Sequence, residues 1–107
     1  DWPYNATLGA AYLATLSERY DGNVVMMSAA YNAGPSRPDR WMRERGDPRK
    51  GEMEVVDWIE SIPFNETRNY VMRVAESLPV YRARLGKPAH PVPFSQELVG
   101  ATLRVTN

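Results

Sequence analysis

Apolar residues recurring every three to four positions, cut at intervals by glycine or proline, constrain this chain more than any other feature. That period aligns side chains along one side of a helix, and nothing in the chain alternates convincingly as a strand would. Asn5 is expected to cap a first helix that places Leu8, Tyr12, Leu13, Leu16 and Tyr20 on roughly one face. Gly22 stops it, as a residue that tolerates positive φ. Asn23 opens a second helix, Val24 to about Asn32, that is apolar on most sides and therefore belongs in the core. Gly34-Pro35 ends it. The spacing predicts a short helix over Pro38 to Arg43 anchored by Trp41, then an exposed polar loop from Arg45 to Gly51. Glu54 to Ser61 predicts a helix that turns Val55, Trp58, Ile59 and Ile62 inward until Pro63 breaks it. Asn65 is expected to cap the longest helix, marked by Tyr70, Val71, Val74, Leu78, Tyr81 and Leu85, with a kink or break at Pro79. Beyond Gly86, Pro88, Pro91 and Pro93 predict an extended tail whose end, Leu98 to Val105, pairs as a strand. The predicted body is all-α.

Composition narrows what such a body can do. A length of 107 residues allows one modest core and little more. Thirteen basic residues offset thirteen acidic ones, which argues against a dedicated nucleic-acid binder. No apolar run approaches the ~20 residues of a membrane span. The absence of Cys excludes disulfides and thiolate-ligated metal, and a lone His90 cannot build a His cluster or a Ser-His-Asp triad. No metal or cofactor is expected. The chain opens on Asp1, and its native start is expected to lie upstream.

Two segments carry polar groups where chemistry is conceivable. In Ala29-Ala30-Tyr31-Asn32-Ala33-Gly34-Pro35 a phenol and an amide sit at a helix end, and the alanines around them let another group approach closely. The plain alternative is that Tyr31 packs and Asn32 caps the helix. In Ile62-Pro63-Phe64-Asn65-Glu66-Thr67-Arg68-Asn69-Tyr70-Val71, Glu66 falls in the first turn of a helix, where the dipole favours an anion. Arg68 and Tyr70 follow within about a turn. The plain alternative here is a capping carboxylate beside a solvated arginine. The sequons Asn5-Ala6-Thr7 and Asn65-Glu66-Thr67 read better as helix caps than as glycosylation sites.

Taken together, these segments resemble the lytic transglycosylase domain of the soluble lytic murein transglycosylase family, a lysozyme-like fold. Also similar are Arg40-Trp41, Trp58-Ile59-Glu60-Ser61, the approach from Tyr4-Asn5 to Arg19-Tyr20-Asp21-Gly22-Asn23, and Val80-Tyr81-Arg82-Ala83-Arg84-Leu85. The resemblance covers residues 1–86, in order, and leaves 87–107 as a tail without an assignable role. It implies a bacterial periplasmic or cell-envelope protein whose partner is the glycan strand of peptidoglycan. It also implies non-hydrolytic cleavage of the MurNAc–GlcNAc bond, in which one Glu protonates the leaving oxygen and the muramic 6-hydroxyl closes a 1,6-anhydro ring. Such an acid needs a partly apolar site that raises its pKa, and no second nucleophilic carboxylate. By resemblance Tyr31 lies beside the catalytic acid, Asn32 and Glu66 line the sugar groove, and Tyr70 supports it.

The family's catalytic Glu-Ser and the Gly-Leu-Met-Gln that follows it both precede the stretch matched here. Glu60-Ser61 and Glu76-Ser77 stand on the wrong side of Tyr31, lack that motif, and read as ordinary helix surface. The chain is therefore expected to be the incomplete, C-terminal part of the catalytic domain, without its general acid and inactive alone. An apolar face left open where the absent helices pack implies self-association or pairing with the missing half. The alternative is a non-catalytic glycan-binding module; an all-α interaction scaffold is a further reading. The basic cluster Arg37, Arg40, Arg43, Arg45, Arg49 and Lys50, diluted by Asp39, Glu44 and Asp47, reads as a solvated face or as a contact with the anionic cell wall.

Overall fold

A computed structural model of the chain describes residues 2–84 and 98–100, with side chains over 9–78 and 98–100. Five helices follow in order: α1 Trp2–Tyr20, α2 Val24–Ala33, α3 Ser36–Arg45, α4 Val55–Glu60 and α5 Asn65–Arg84, with a 3₁₀ turn at Pro48–Lys50 before α4. No strand occurs among the described residues, as expected of an all-α chain.

The second helix is the axis of the fold, because its composition gives it no side suited to water. Every residue from Val24 to Ala30 is buried, and α1, α3 and α5 pack around it. Ala29 and Ala30 on α2 and Val71 and Ala75 on α5 are all but inaccessible, and small side chains at such positions let helix axes approach closely. Trp58, Ile59 and Ile62 close the core from the α4 side, as the Glu54–Ser61 periodicity predicts. Asn23 caps α2 by accepting a hydrogen bond from the Met26 N–H at 3.1 Å. At the other end Gly34, at φ 91°, returns its N–H to the Ala30 carbonyl. Gly46 is held more tightly: at φ 117° a Cβ there would sit 2.9 Å from the Glu52 carbonyl oxygen, which only glycine avoids.

Several sequence expectations are corrected. α1 begins at Trp2, so Asn5 lies inside the helix rather than capping it. Pro3 falls in the first turn, where a missing N–H costs nothing. Asn65 likewise begins α5 as a helical residue: the Phe64 carbonyl accepts from the Arg68 N–H, and the Asn65 amide oxygen accepts from the Arg68 guanidinium at 2.5 Å. The same guanidinium donates to the Ile62 carbonyl at 2.9 Å, so Arg68 pins the Pro63 turn instead of standing in solvent. Pro79 does not end α5, which continues to Arg84. One backbone bond is forfeited there, while Val71, Ala75 and Leu78 hold the preceding turns against the core. The exposed loop expected over Arg45–Gly51 is instead anchored. Asp47 and Pro48 are buried, and Asp47 accepts from the Arg49 N–H, Nε and Nη2 at 2.9, 3.0 and 2.9 Å. The Pro-rich stretch from 87 to 97 and residues 101–107 lie outside the described residues. At Leu98–Val99 the backbone is helical rather than a strand. Leu98 is fully buried, and Asn23 Nδ2 donates to the Leu98 and Gly100 carbonyls at 2.8 and 2.9 Å.

Candidate functional site

The last turn of α2 meets the first turn of α5 through one side-chain bond. Thr67 Oγ1, 2% exposed, donates to Asn32 Oδ1 at 2.6 Å. Asn32 is therefore not a cap for its own helix; the Gly34 N–H closes that end. Its oxygen is committed to Thr67, and its Nδ2 hydrogens have no partner among the described residues. Glu66, next to Thr67, is exposed, and Tyr70 stands one turn further along α5, half-buried. The bond between Asn32 and Thr67 thus joins the end of α2 to the start of α5, the helix that also carries Glu66 and Tyr70.

Tyr31 belongs to a neighbouring surface. Successive helical residues point about 100° apart, and Tyr31 turns toward α1, its ring centroid 5.9 Å from that of Tyr12. Its hydroxyl lies over Gly9, 3.7 Å from where a Cβ would be. Tyr31 is 43% exposed, Tyr12 38% and Leu13 42%, so of the described residues on the inward face expected of α1, Leu16 and Tyr20 are buried while Tyr12 and Leu13 are not. Tyr31 thus packs against α1 on one side and is open to solvent on the other.

Charge is organised elsewhere, where α1 and α3 meet. Asp39 joins Arg19 in an ion pair and accepts from the Tyr20 hydroxyl at 2.8 Å. Burial, then Asp39, pushes the Tyr20 phenol up to about 12. Asp47 is held below the usual carboxylate range: burial opposes this, but the Arg49 side-chain and backbone hydrogen bonds outweigh it. The Asp39 contacts tie α1 to α3, and the Asp47 contacts hold the turn that follows α3. Ser61 and Ser77 return their hydroxyls to the Trp58 and Val74 carbonyls at 2.7 and 2.8 Å, beside exposed Glu60 and Glu76. Both Glu-Ser pairs are helix surface. No group of three His, Cys, Asp or Glu residues able to hold a metal ion occurs among the described residues.

The basic cluster divides three ways. Arg49 is committed to Asp47, and Arg40 pairs with Glu44 at 3.0 Å along α3. Arg37, Arg43 and Arg45 have no carboxylate partner among the described residues; the Arg37 guanidinium lies 4.4 Å over the Phe64 ring. Two residues of this region escape the motif reading. Thr67 is visible only as the neighbour of Glu66, because its bond to Asn32 spans 35 positions. Tyr12 falls in the inward stripe by period alone.

Comparisons with known proteins bear on what this arrangement is. Residues 3–54 match the family model of the Transglycosylase SLT domain. The chain is 37% identical to the soluble lytic murein transglycosylase of Salmonella typhimurium over 83 residues, which is 78% of this chain and 12% of that protein. It is 38% identical over 82 residues to the soluble lytic murein transglycosylase of Escherichia coli K12, covering 77% of this chain and 12% of the relative. A putative soluble lytic murein transglycosylase of Haemophilus influenzae is 37% identical over 93 residues, 87% of this chain and 15% of the relative. The chain thus spans about an eighth of the length of the curated relatives it matches. No solved structure matches the chain significantly. No described helix is long and apolar enough to cross a membrane. With its SLT domain and these identities running along most of its helices, the chain belongs to the soluble lytic murein transglycosylase family.

Proposed function

We propose that residues 1–86 form the sugar-groove part of a peptidoglycan lytic transglycosylase domain in a bacterial envelope protein. The observation that supports this reading is the Thr67–Asn32 hydrogen bond, which joins the two motif segments; in this reading the Asn32 amide, the Glu66 carboxylate and the Tyr70 phenol form a polar rim beside it. Amide donors and carboxylate acceptors beside aromatic rings suit the hydroxyls and apolar faces of a glycan strand. Asn32 and Glu66 hold the sugar and Tyr70 supports it. Tyr31, exposed beside Tyr12, stands by the acid and assists it.

In the parent protein a carboxyl group outside this chain protonates the leaving glycosidic oxygen as the muramic C1–O bond breaks. The 6-hydroxyl oxygen then bonds to C1, giving the 1,6-anhydro product, and its proton returns to the carboxylate; no water is consumed. Glu60 and Glu66 do not offer a replacement. A general acid needs an apolar enclosure to retain its proton, whereas Glu60 and Glu66 are both exposed. The chain by itself is accordingly a binder without turnover, and it acts as a catalyst only when completed by the acid-bearing segment.

Mass spectrometry of products released from purified sacculi tests this. The parent is expected to release anhydro-muropeptides and the isolated chain none. Anhydro products from the chain alone would place the acid among its own carboxylates. Glycan binding without cleavage by the intact parent would turn the reading into that of a non-catalytic module.

A further inference from the structure

Beyond α5, residues 98–100 return to the body of the molecule at the Asn23 end of α2, 75 positions from the side chain that holds them. Leu98 is fully buried there, whereas the other buried apolar residues described lie between Leu16 and Leu78. Both hydrogens of Asn23 Nδ2 are spent on this segment, on the Leu98 carbonyl at 2.8 Å and the Gly100 carbonyl at 2.9 Å. Leu98 and Val99 are helical and Gly100 is not, so these are carbonyls at the C-terminal end of a turn, where the backbone offers them no partner. Asn23 thus caps two ends at once, since its Oδ1 accepts from the Met26 N–H. Open space flanks the contact. Val99 borders a polar cavity of about 350 Å³ toward Arg49 and Lys50, and an apolar one of about 440 Å³ toward Met53 and Val55.

We infer that this end of α2 is a peptide seat, filled here by the chain's own residues 98–100 and open to the same residues of a second copy of the chain. The recognition is local. One leucine side chain and two carbonyls make it, and a second copy presents them identically. The occupant is separable. It adds Leu98 to a core whose other members come from residues 16–78 and pack on one another, the arrangement of a segment that opens before the rest. The connector does not dictate which copy is served. Residues 85–97 lie between α5 and Leu98, and their covalent reach of roughly 45 Å exceeds the 38 Å longest dimension of the molecule. Within one copy the tether supplies the segment at an effective concentration of order millimolar, so the seat fills from its own chain first. A second copy fills it when that contact is broken or the chain is concentrated.

The inference stands apart from the proposed function, because Tyr31, Asn32, Glu66 and Tyr70 take no part in the seat. Two variants of the 107-residue chain test it, each breaking one side of the contact. Asn23→Asp keeps the cap on α2, since a carboxylate still accepts from Met26, but it loses both donors to the segment. Leu98→Asp keeps the seat and spoils the occupant. Neither variant can make the contact within itself or with its own kind. With one of the two isotope-labelled, native mass spectrometry of each alone and of an equimolar mixture counts like and unlike pairs. Unlike pairs are expected to be about tenfold tighter than like pairs. A chain carrying both substitutions should show no preference for either partner. Where a variant loses its circular-dichroism signature, Asn23→Ser and Leu98→Ala take its place. Pairing through another surface, such as exposed Tyr12 and Tyr31, gives like and unlike pairs in statistical proportion and overturns the inference. So does a mixture that forms no pairs.

Discussion

The N-terminal end of α2 is closed on every side, while its C-terminal end, about ten residues on, opens to solvent. Asn23 is 2% exposed and its amide is saturated, accepting from Met26 and donating to the Leu98 and Gly100 carbonyls. Tyr31 is 43% exposed, and Asn32 spends its amide oxygen on Thr67 while its N–H donors meet no partner among the described residues. The same helix therefore serves two purposes. Its sealed end fixes where the helix lies, and its open end presents groups whose hydrogen-bonding capacity is unspent.

That contrast can be broken by substitution, with stability costs that should shrink from one end to the other. Asn23→Ala removes the cap and leaves two carbonyls without their donor, and should cost about 3 kcal/mol in chemical denaturation. A loss under about 1 kcal/mol would show that the 98–100 segment contributes little. Asp47→Asn, beside that end, loses the charge in three bonds to Arg49 and should cost about 2 kcal/mol. The wild-type chain should show the same contact in its pH dependence. Because the native pKa of Asp47 is depressed, its contribution is full above the ordinary value of 3.8 and disappears as pH falls through the depressed native value. A chain carrying Asp47→Asn should lack that acid-side portion of the stability loss.

At the open end the expected effects move from stability to binding. Thr67→Val keeps the shape and removes the bond to Asn32, for about 1 kcal/mol, and should also weaken chitooligosaccharide binding as the amide loses its orientation. Unchanged affinity would separate Asn32 from the sugar. Tyr31→Phe should alter stability by less than about 0.5 kcal/mol while lowering turnover of the parent protein; unchanged turnover would remove Tyr31 from the site. Glu66→Gln should leave the melting temperature in place and reduce chitooligosaccharide affinity, and equal affinity would contradict its role.

Much of the sealed end is legible in the sequence. Val24–Ala30 is apolar on most sides, so no orientation of that helix satisfies its side chains except burial, and Asn23 before it and Gly34 after it are cap residues by their own chemistry. The α4 stripe of Val55, Trp58, Ile59 and Ile62 is readable for the same reason. The open end is legible only as a pair of motifs. Period places Tyr12 and Leu13 inward with Leu16 and Tyr20, because spacing reports which residues share a face and not how far along the helix a neighbour extends. Asn5 and Asn65 look like caps and are helical residues, since α1 starts upstream of Pro3 and the Phe64 carbonyl opens α5 one residue earlier. The polar run at Arg45–Gly51 has the composition of a solvated loop; Asp47 and Pro48 are buried because Arg49 folds back on Asp47, a contact that composition does not encode.

By itself, the sequence determined the helices, the identity of the central one, the breaks at Gly22, Gly34 and Pro63, and the family. These follow from local periodicity, backbone chemistry and motif order. Tertiary structure alone decided that Thr67 holds Asn32 across 35 positions, that Asn23 binds the carbonyls of Leu98 and Gly100, and that Phe64 packs against Trp41 and beneath Arg37 of α3. Each of these joins residues far apart in the chain. Their geometry depends on how whole helices pack, and a side chain's own neighbours in sequence carry no record of that.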